Sequence, residues 1–274
     1  MNKKTEKRKQ SFIADIKAKP FLTLVYLFLR VSVVGVMIAQ IFNRDWMNVF
    51  LCILSLFLFM VPSFVERRLK IDVPDTLEVI VLVFIYAAEI LGEIRAYYIA
   101  FPLWDTMLHT TTGFLAAAVG FSLVDILNRE SKQNFSLSPF YMAIVAFCFS
   151  MTIAVLWEFF EFSADTFFHT DMQKDTIIHT LNTVALDPTR SNKVVSIRNI
   201  TGVSVNGQDL GLGGYLDIGL IDTMKDMFVN FIGAVVFSII GFFYVRNKGT
   251  GRFAKRFIPT TIDTETKKKE SETK

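Results

Sequence analysis

Six long apolar blocks separated by charged links constrain this chain more than any other feature. They run over about Phe21–Phe42, Met47–Phe64, Thr76–Glu93, Trp104–Ile126, Pro139–Phe162 and Asp222–Val245. The hydrocarbon core of a bilayer is ~30 Å thick, so a spanning helix needs ~20 mostly apolar residues. The runs are continuous rather than alternating, which favours helices over strands. Lipid offers no hydrogen-bond partner to an open backbone, so such runs cross as helices. The expected fold class is all-α: a polytopic bundle of six transmembrane helices, with a small β-hairpin in an outer loop. The first block is too long for a cleavable signal peptide and lacks a small-residue cleavage site after it. The second block is the shortest and carries Pro62 near its end.

The basic residues set an orientation. Lys and Arg gather in the lead (Lys3, Lys4, Lys7, Arg8, Lys9, Lys17, Lys19) and in the second-to-third link (Arg67, Arg68, Lys70). They recur in the fourth-to-fifth link (Arg129, Lys132) and in the tail, from Arg246 and Lys248 through Arg252, Lys255, Arg256, Lys267, Lys268 and Lys269 to Lys274. The alternate links hold few: Arg44, Arg95, and Lys174, Arg190, Lys193 and Arg198 in the long fifth-to-sixth link. Cytoplasmic loops carry the excess of Lys and Arg, so both termini are expected inside, which requires an even number of spans. The organisation that follows is a basic lead (1–20), a membrane domain (21–245) with an outer loop (163–221) between helices five and six, and a polar cytoplasmic tail (246–274). The tail's Lys/Thr/Glu composition predicts disorder. The basic ends read as topology signals and contacts to anionic lipid, not as nucleic-acid arms. The only cysteines, Cys52 and Cys148, lie in different blocks without a C-x-x-C pattern. That leaves zinc-finger and redox chemistry without support and predicts two buried structural thiols.

The outer loop has its own signals. Val194–Ile200 and Val203–Val205 are rich in β-branched residues, and Asn206-Gly207 is a tight-turn pair, which together predict a hairpin. The Gly211-Leu212-Gly213-Gly214 stretch lacks the lysine and the strand–helix setting of a phosphate-binding loop and reads as a turn towards the sixth helix. His169 and His179, also in the loop, are expected to be solvated.

Ionisable residues inside spans are costly, so each is a functional candidate. The third block carries Glu89 and Glu93, the fourth opens with Asp105 and His109, the fifth ends with Glu158 and Glu161, and the sixth opens with Asp222, Asp226 and Asn230. Residues three or four apart share one helical face, so each helix presents its polar pair as a stripe. Under the orientation above, all four stripes meet at the outer end of the bundle. Asp222 to Asn230 spans about 12 Å of helix axis, the depth of a cavity open to the outer surface. Trp104 and Trp157 suit the interfacial belt beside it. Asp105 and Asp222 would also serve as first-turn carboxylates favoured by the helix dipole. Glu78 reads as a helix-start carboxylate and Arg30 as an intramembrane pairing partner.

So many carboxylates cannot all remain ionised and unpaired in a small volume. A divalent cation held by Asp105, His109, Glu158, Asp222 and Asp226 would relieve the repulsion. Such an ion could polarise a phosphate or activate water, with Glu158, Glu161 and Asp226 as the catalytic carboxylates and Asn230, Glu89 and Glu93 completing the pocket. A proton shared between carboxylates is the other physical solution and belongs to proton-coupled transport. A third reading is a non-catalytic envelope scaffold whose outer loop binds a partner. The partners expected for the first reading are membrane lipid and a lipid-linked or small-molecule substrate.

With Asp105-x-x-x-His109, Trp157-Glu158-x-x-Glu161 and Asp222-x-x-x-Asp226-x-x-x-Asn230-x-x-Gly233 in that order, residues 76–245 resemble the YjdF-like bacterial membrane proteins and, more distantly, the VanZ-like proteins linked to glycopeptide resistance. Glu161 stands where VanZ-like proteins usually have Gln. The resemblance implies a bacterial cell membrane and supplies no established reaction.

Overall fold

A computed structural model describes residues 19–69, 71–130 and 137–261. Most of the basic lead, Lys132 and the distal tail lie outside the described residues. The chain forms α1 (Pro20–Asn43), α2 (Trp46–Leu58), α3 (Val61–Leu69), β1 (Ile71–Asp72), α4 (Asp75–Tyr86), a π-helical segment (Ala87–Ile94), α5 (Tyr97–Ala100), α6 (Trp104–Glu130) and α7 (Pro139–Phe168). A run of short strands follows: β2 (Thr176–Ile178), β3 (Thr180–Thr183), β4 (Val195–Arg198), β5 (Ser204–Val205), β6 (Gln208–Asp209) and β7 (Tyr215–Asp217). The chain then enters α8 (Leu220–Arg246), a 3-10 turn (Ala254–Arg256) and β8 (Thr260–Thr261).

Local sequence explains the helix boundaries. Pro20 and Pro139 occupy first-turn positions of α1 and α7, where a missing N–H costs nothing. The Asp45 side chain accepts the Asn48 N–H at the start of α2, and Ser138 does the same for Tyr141 at α7. Arg44 and His169 close α1 and α7 in the left-handed region.

Five helices are long and apolar enough to cross a membrane: Pro20–Asn43, Trp46–Arg68, Trp104–Asn128, Pro139–Phe168 and Leu220–Arg246. The third sequence block is also helical, over Asp75–Ile94, but changes from α to π winding at Ala87. It also carries Glu78, Glu89 and Glu93, more charge than a plain span. The protein is therefore a membrane protein with several apolar helices. Its large exposed side chains fit an apolar solvent: Phe21, Leu24, Phe28, Phe50, Phe57, Phe140, Phe159 and Phe228 all face outwards. Cys52 is buried as expected, but Cys148 is exposed, on the outward face of α7.

Two apolar clusters fill the interior. One joins α1, α2, α4 and the π segment through Leu29, Val33, Cys52, Phe59, Leu82 and Ile90. The other joins α6, α7 and α8 through Ala117, Phe121, Met142, Ala146, Ala234 and Phe237. Small residues bring these helices together: a Cβ on Gly113 would strike the Asn230 backbone, and one on Gly233 would strike the Thr110 backbone.

Several contacts gather at one end of the bundle, basal below. The Lys19 Nζ lies 2.7 Å from Asp75 and 3.7 Å from Asp72, joining the start of α1 to the start of α4. Strand β1 pairs antiparallel with β8, with Ile71 opposite Thr261 and Asp72 opposite Thr260. The chain beyond α8 thus returns to the link before α4. The expected disordered tail is revised over its described part: Ala254, Phe257 and Ile258 are buried, because apolar residues among the lysines pack into the helices.

The segment between α7 and α8 is richer than one hairpin. The Asn206-Gly207 turn is present, both residues having positive φ (52° and 81°), but it joins the two-residue strands β5 and β6. Strand β4 pairs with β3, not with the following strand. Asn199 takes a left-handed conformation at φ 56°, which ends β4 and turns the chain away. Strands β2 and β7 pair at the base of the loop and bring α7 back to α8.

Candidate functional site

The first turns of α6 and α8 and the last turns of α7 lie together at the end opposite the β1–β8 pair, apical below. Helices α6 and α8 run side by side, and their glycine contacts set Asp105 and His109 against Asp226. His109 Nε2 lies 3.5 Å from Asp105 Oδ1 and 3.7 Å from Asp226 Oδ2. One ligand atom from each of the three residues falls within 4.8 Å of the others. The Asp105 and Asp226 carboxylates thus face each other across the seam between α6 and α8 within that distance.

Asp226 and Asn230 are 2% and 1% exposed, and Glu158 is 6% exposed. An unpaired buried oxygen is expensive, yet Asp105 Oδ2, Asp226 Oδ1, Glu158 Oε2 and Asn230 Oδ1 have no hydrogen-bond partner among the described residues. A proton, a cation or a bound water would satisfy them, and the Trp104 indole N–H and Thr106 hydroxyl in the first turn of α6 are buried without partners as well.

The remaining expected residues take different places. Glu158 reaches Thr223 on α8 and Gln173 in the loop. Asp222 accepts the Lys174 backbone N–H at 2.8 Å. Neither belongs to the three-residue group of close ligand atoms. Glu161 accepts the Trp157 indole N–H at 2.8 Å, so one of its oxygens is engaged. Glu89 and Glu93 sit on the π segment, with Glu93 exposed, and Tyr98 lies near them, Asp105 and Glu161. The structure thus brings together Asp105, His109 and Asp226, lines them with Glu158, Asp222 and Asn230, and holds Glu89 and Glu93 at the margin.

Three partners had no clear signal in the sequence. Trp157 reads as an interfacial anchor, yet it is a hydrogen-bond donor to Glu161 four residues on, a spacing that could have suggested the pair. Gln173 comes from the loop and its amide donates to Thr223, a contact fifty residues distant along the chain. Asp165 fixes that turn by accepting the Met172 and Gln173 N–H groups.

The model of a family described as a predicted membrane protein, DUF2238, matches residues 22–247. The chain belongs to this family. The DUF2238 match takes in every helix that contributes to the site, from α1 to the end of α8. No curated protein and no solved structure matches the chain.

Proposed function

We propose that this DUF2238 protein spans the bacterial plasma membrane six times, with both termini in the cytoplasm, and carries at its outer end a metal-dependent site acting on a lipid or envelope precursor. The topology draws on the β1–β8 pair and the Lys19–Asp75 contact, which tie the start of α1, the link before α4 and the segment after α8 to one end. A chain returning to that end crosses an even number of times, so Asp75–Ile94 counts as a span. The basic residues near that end, Arg67, Arg68, Arg246 and Lys248, suit the cytoplasmic side.

The observation that carries the site is the Asp105–His109–Asp226 triad with orphaned carboxylate oxygens beside it. Ligand atoms at ~2.1 Å from a shared ion stand about 3–3.5 Å apart, close to the His109 separations. Three protein ligands leave an open position for water or substrate, the pattern of catalytic rather than structural sites. Asp105, His109 and Asp226 would hold the ion, which would supply a polarised phosphoryl or carbonyl oxygen or an activated water. Glu158, buried and with one oxygen unpartnered among the described residues, would exchange a proton with substrate. Asn230 would orient a ligand, and Asp222 and Glu161 would hold the walls. The motif order shared with YjdF-like and VanZ-like proteins belongs to this reading.

The proximity of the Asp105 and Asp226 carboxylates favours one rival, a proton-coupled transporter. Against it, the basal half of the bundle is packed with Phe114, Phe121, Phe237 and Phe257, an aromatic seal and not a polar route. Elemental analysis of protein purified without chelators at neutral pH separates the two. Near-stoichiometric divalent metal in the wild type, lost in Asp226→Asn and His109→Ala, is expected. No metal in the wild type would overturn the reading and leave transport or a scaffold role.

A further inference from the structure

Helix α8 does not end the packed chain. Its last carbonyls are capped by the Asn247 and Gly249 N–H groups, and Gly249 turns the chain at φ 74°. The following residues fold back. The 3-10 turn at Ala254–Arg256 packs against α4 and α8. Ala254, Phe257 and Ile258 are 3%, 7% and 2% exposed. The Phe257 ring stands 5.0 Å from that of Phe114, edge to face, and Phe114 makes the same contact with Phe237. Phe237 lies about 14 Å along α8 from Arg246, so the tail re-enters the bundle towards that depth. Beyond it, β8 is fastened to β1 by the Ile71–Thr261 and Asp72–Thr260 pairs.

We propose that Phe253–Ile258 is a re-entrant plug, clasped by the β1–β8 pair, whose release opens the interior of the bundle to the basal side. The attachments explain why it can leave. A two-residue strand pair and three apolar side chains hold it, and no disulfide fixes it among the described residues. The polar groups buried basal to Asn230 explain why leaving matters. There, α6 and α8 bury Ser238, Ser122 and Asp125; the Ser122 hydroxyl donates to the Ala118 carbonyl, and the Ser238 hydroxyl has no partner among the described residues. With Phe257 withdrawn, Phe114 loses its edge-to-face partner, and water would reach these groups from the basal side. The plug rests on the proposed topology for the side to which it opens, and not on a bound metal.

The test uses the full-length chain with Cys52 and Cys148 replaced by Ala and a reporter at Ser238→Cys, in inside-out membrane vesicles. A membrane-impermeant maleimide should label the reporter slowly when the tail is native, and at least tenfold faster when Phe257→Asp and Ile258→Asp are added. A second measurement leaves the plug residues untouched. Ile71→Cys with Thr261→Cys should form an intramolecular disulfide on mild oxidation, and that bond should hold labelling at Ser238→Cys at its slow rate. Equal labelling with and without the tail substitutions would overturn the proposal, and so would failure of the disulfide between positions 71 and 261 to form. Neither readout changes if the apical site proves to be metal-free.

Discussion

His109 Nε2 lies 3.7 Å from Asp226 Oδ2 across the seam between α6 and α8, two helices whose contributing residues are more than a hundred positions apart. The seam can be this narrow because Gly113 and Gly233 remove the side chains that would hold the backbones apart. The candidate chemistry therefore depends on helix packing as directly as on its own residues.

Binding of an ion to the folded state stabilises it by mass action, about 2.7 kcal/mol at a hundredfold excess over the dissociation constant. Divalent cation added to chelator-treated protein should raise its melting temperature. Asp226→Asn should abolish that rise while melting no lower than the metal-free wild type, since it removes a buried charge. A cation-induced rise of wild-type size in Asp226→Asn would place the ion elsewhere.

Gly113→Ala tests the seam. Its Cβ would overlap the Asn230 backbone, so a loss of about 1–3 kcal/mol is expected, together with reduced metal content. Gly35→Ala on α1 is the comparison, because nothing lies within 4 Å of the added atom. Melting of the two variants in the same detergent should differ clearly, and similar curves would count against a close α6–α8 contact.

Trp157→Phe removes the donor to Glu161 and leaves a mostly buried carboxylate oxygen unpaired. The expected cost is about 1–3 kcal/mol. Adding Glu161→Leu should recover much of it, because replacing both partners by apolar groups leaves nothing unsatisfied. A double variant no more stable than the single one would show that the pair does not act through this bond.

The loop offers a pH-dependent element. The Thr189 hydroxyl, with the Lys193, Thr189 and Ser191 backbone N–H groups, holds the Asp187 carboxyl well below the usual carboxylate range. A depressed folded value means the stabilisation is complete above the unfolded value of ~3.9 and is lost as pH falls through the folded one. The turn at 187–193 should therefore stay intact at about pH 5 and loosen only in strong acid. Asp187→Ala should loosen it at neutral pH, read as faster tryptic cleavage at Arg190 and Lys193. Unchanged cleavage would show that the turn holds without the carboxylate.

The membrane character, most helix positions and the polar pairs on α6, α7 and α8 follow from the sequence alone; the break of the second block at Phe59–Met60 and the π winding that carries Glu89 and Glu93 do not. Runs of ~20 apolar residues have one stable solution in lipid, and charges four apart on a helix must share a face. The Asn206-Gly207 turn was legible for the same kind of reason, since few residue pairs accept two positive φ values. Local pattern did not say which stripes touch. That Asp105 and His109 meet Asp226, while Glu93 stays exposed, depends on which helices approach closely, and two glycines on separate helices decide it. Strand partners were likewise beyond local reading: β4 joins β3 because Asn199 turns the chain. The lysine-rich tail hid Phe257 and Ile258, whose place in the bundle exists only because α4, α6 and α8 leave room for them. Composition fixed what the chain is made to dissolve in, and tertiary packing alone decided which of its costly polar groups stand together, because only contact across helices can offset the burial of each.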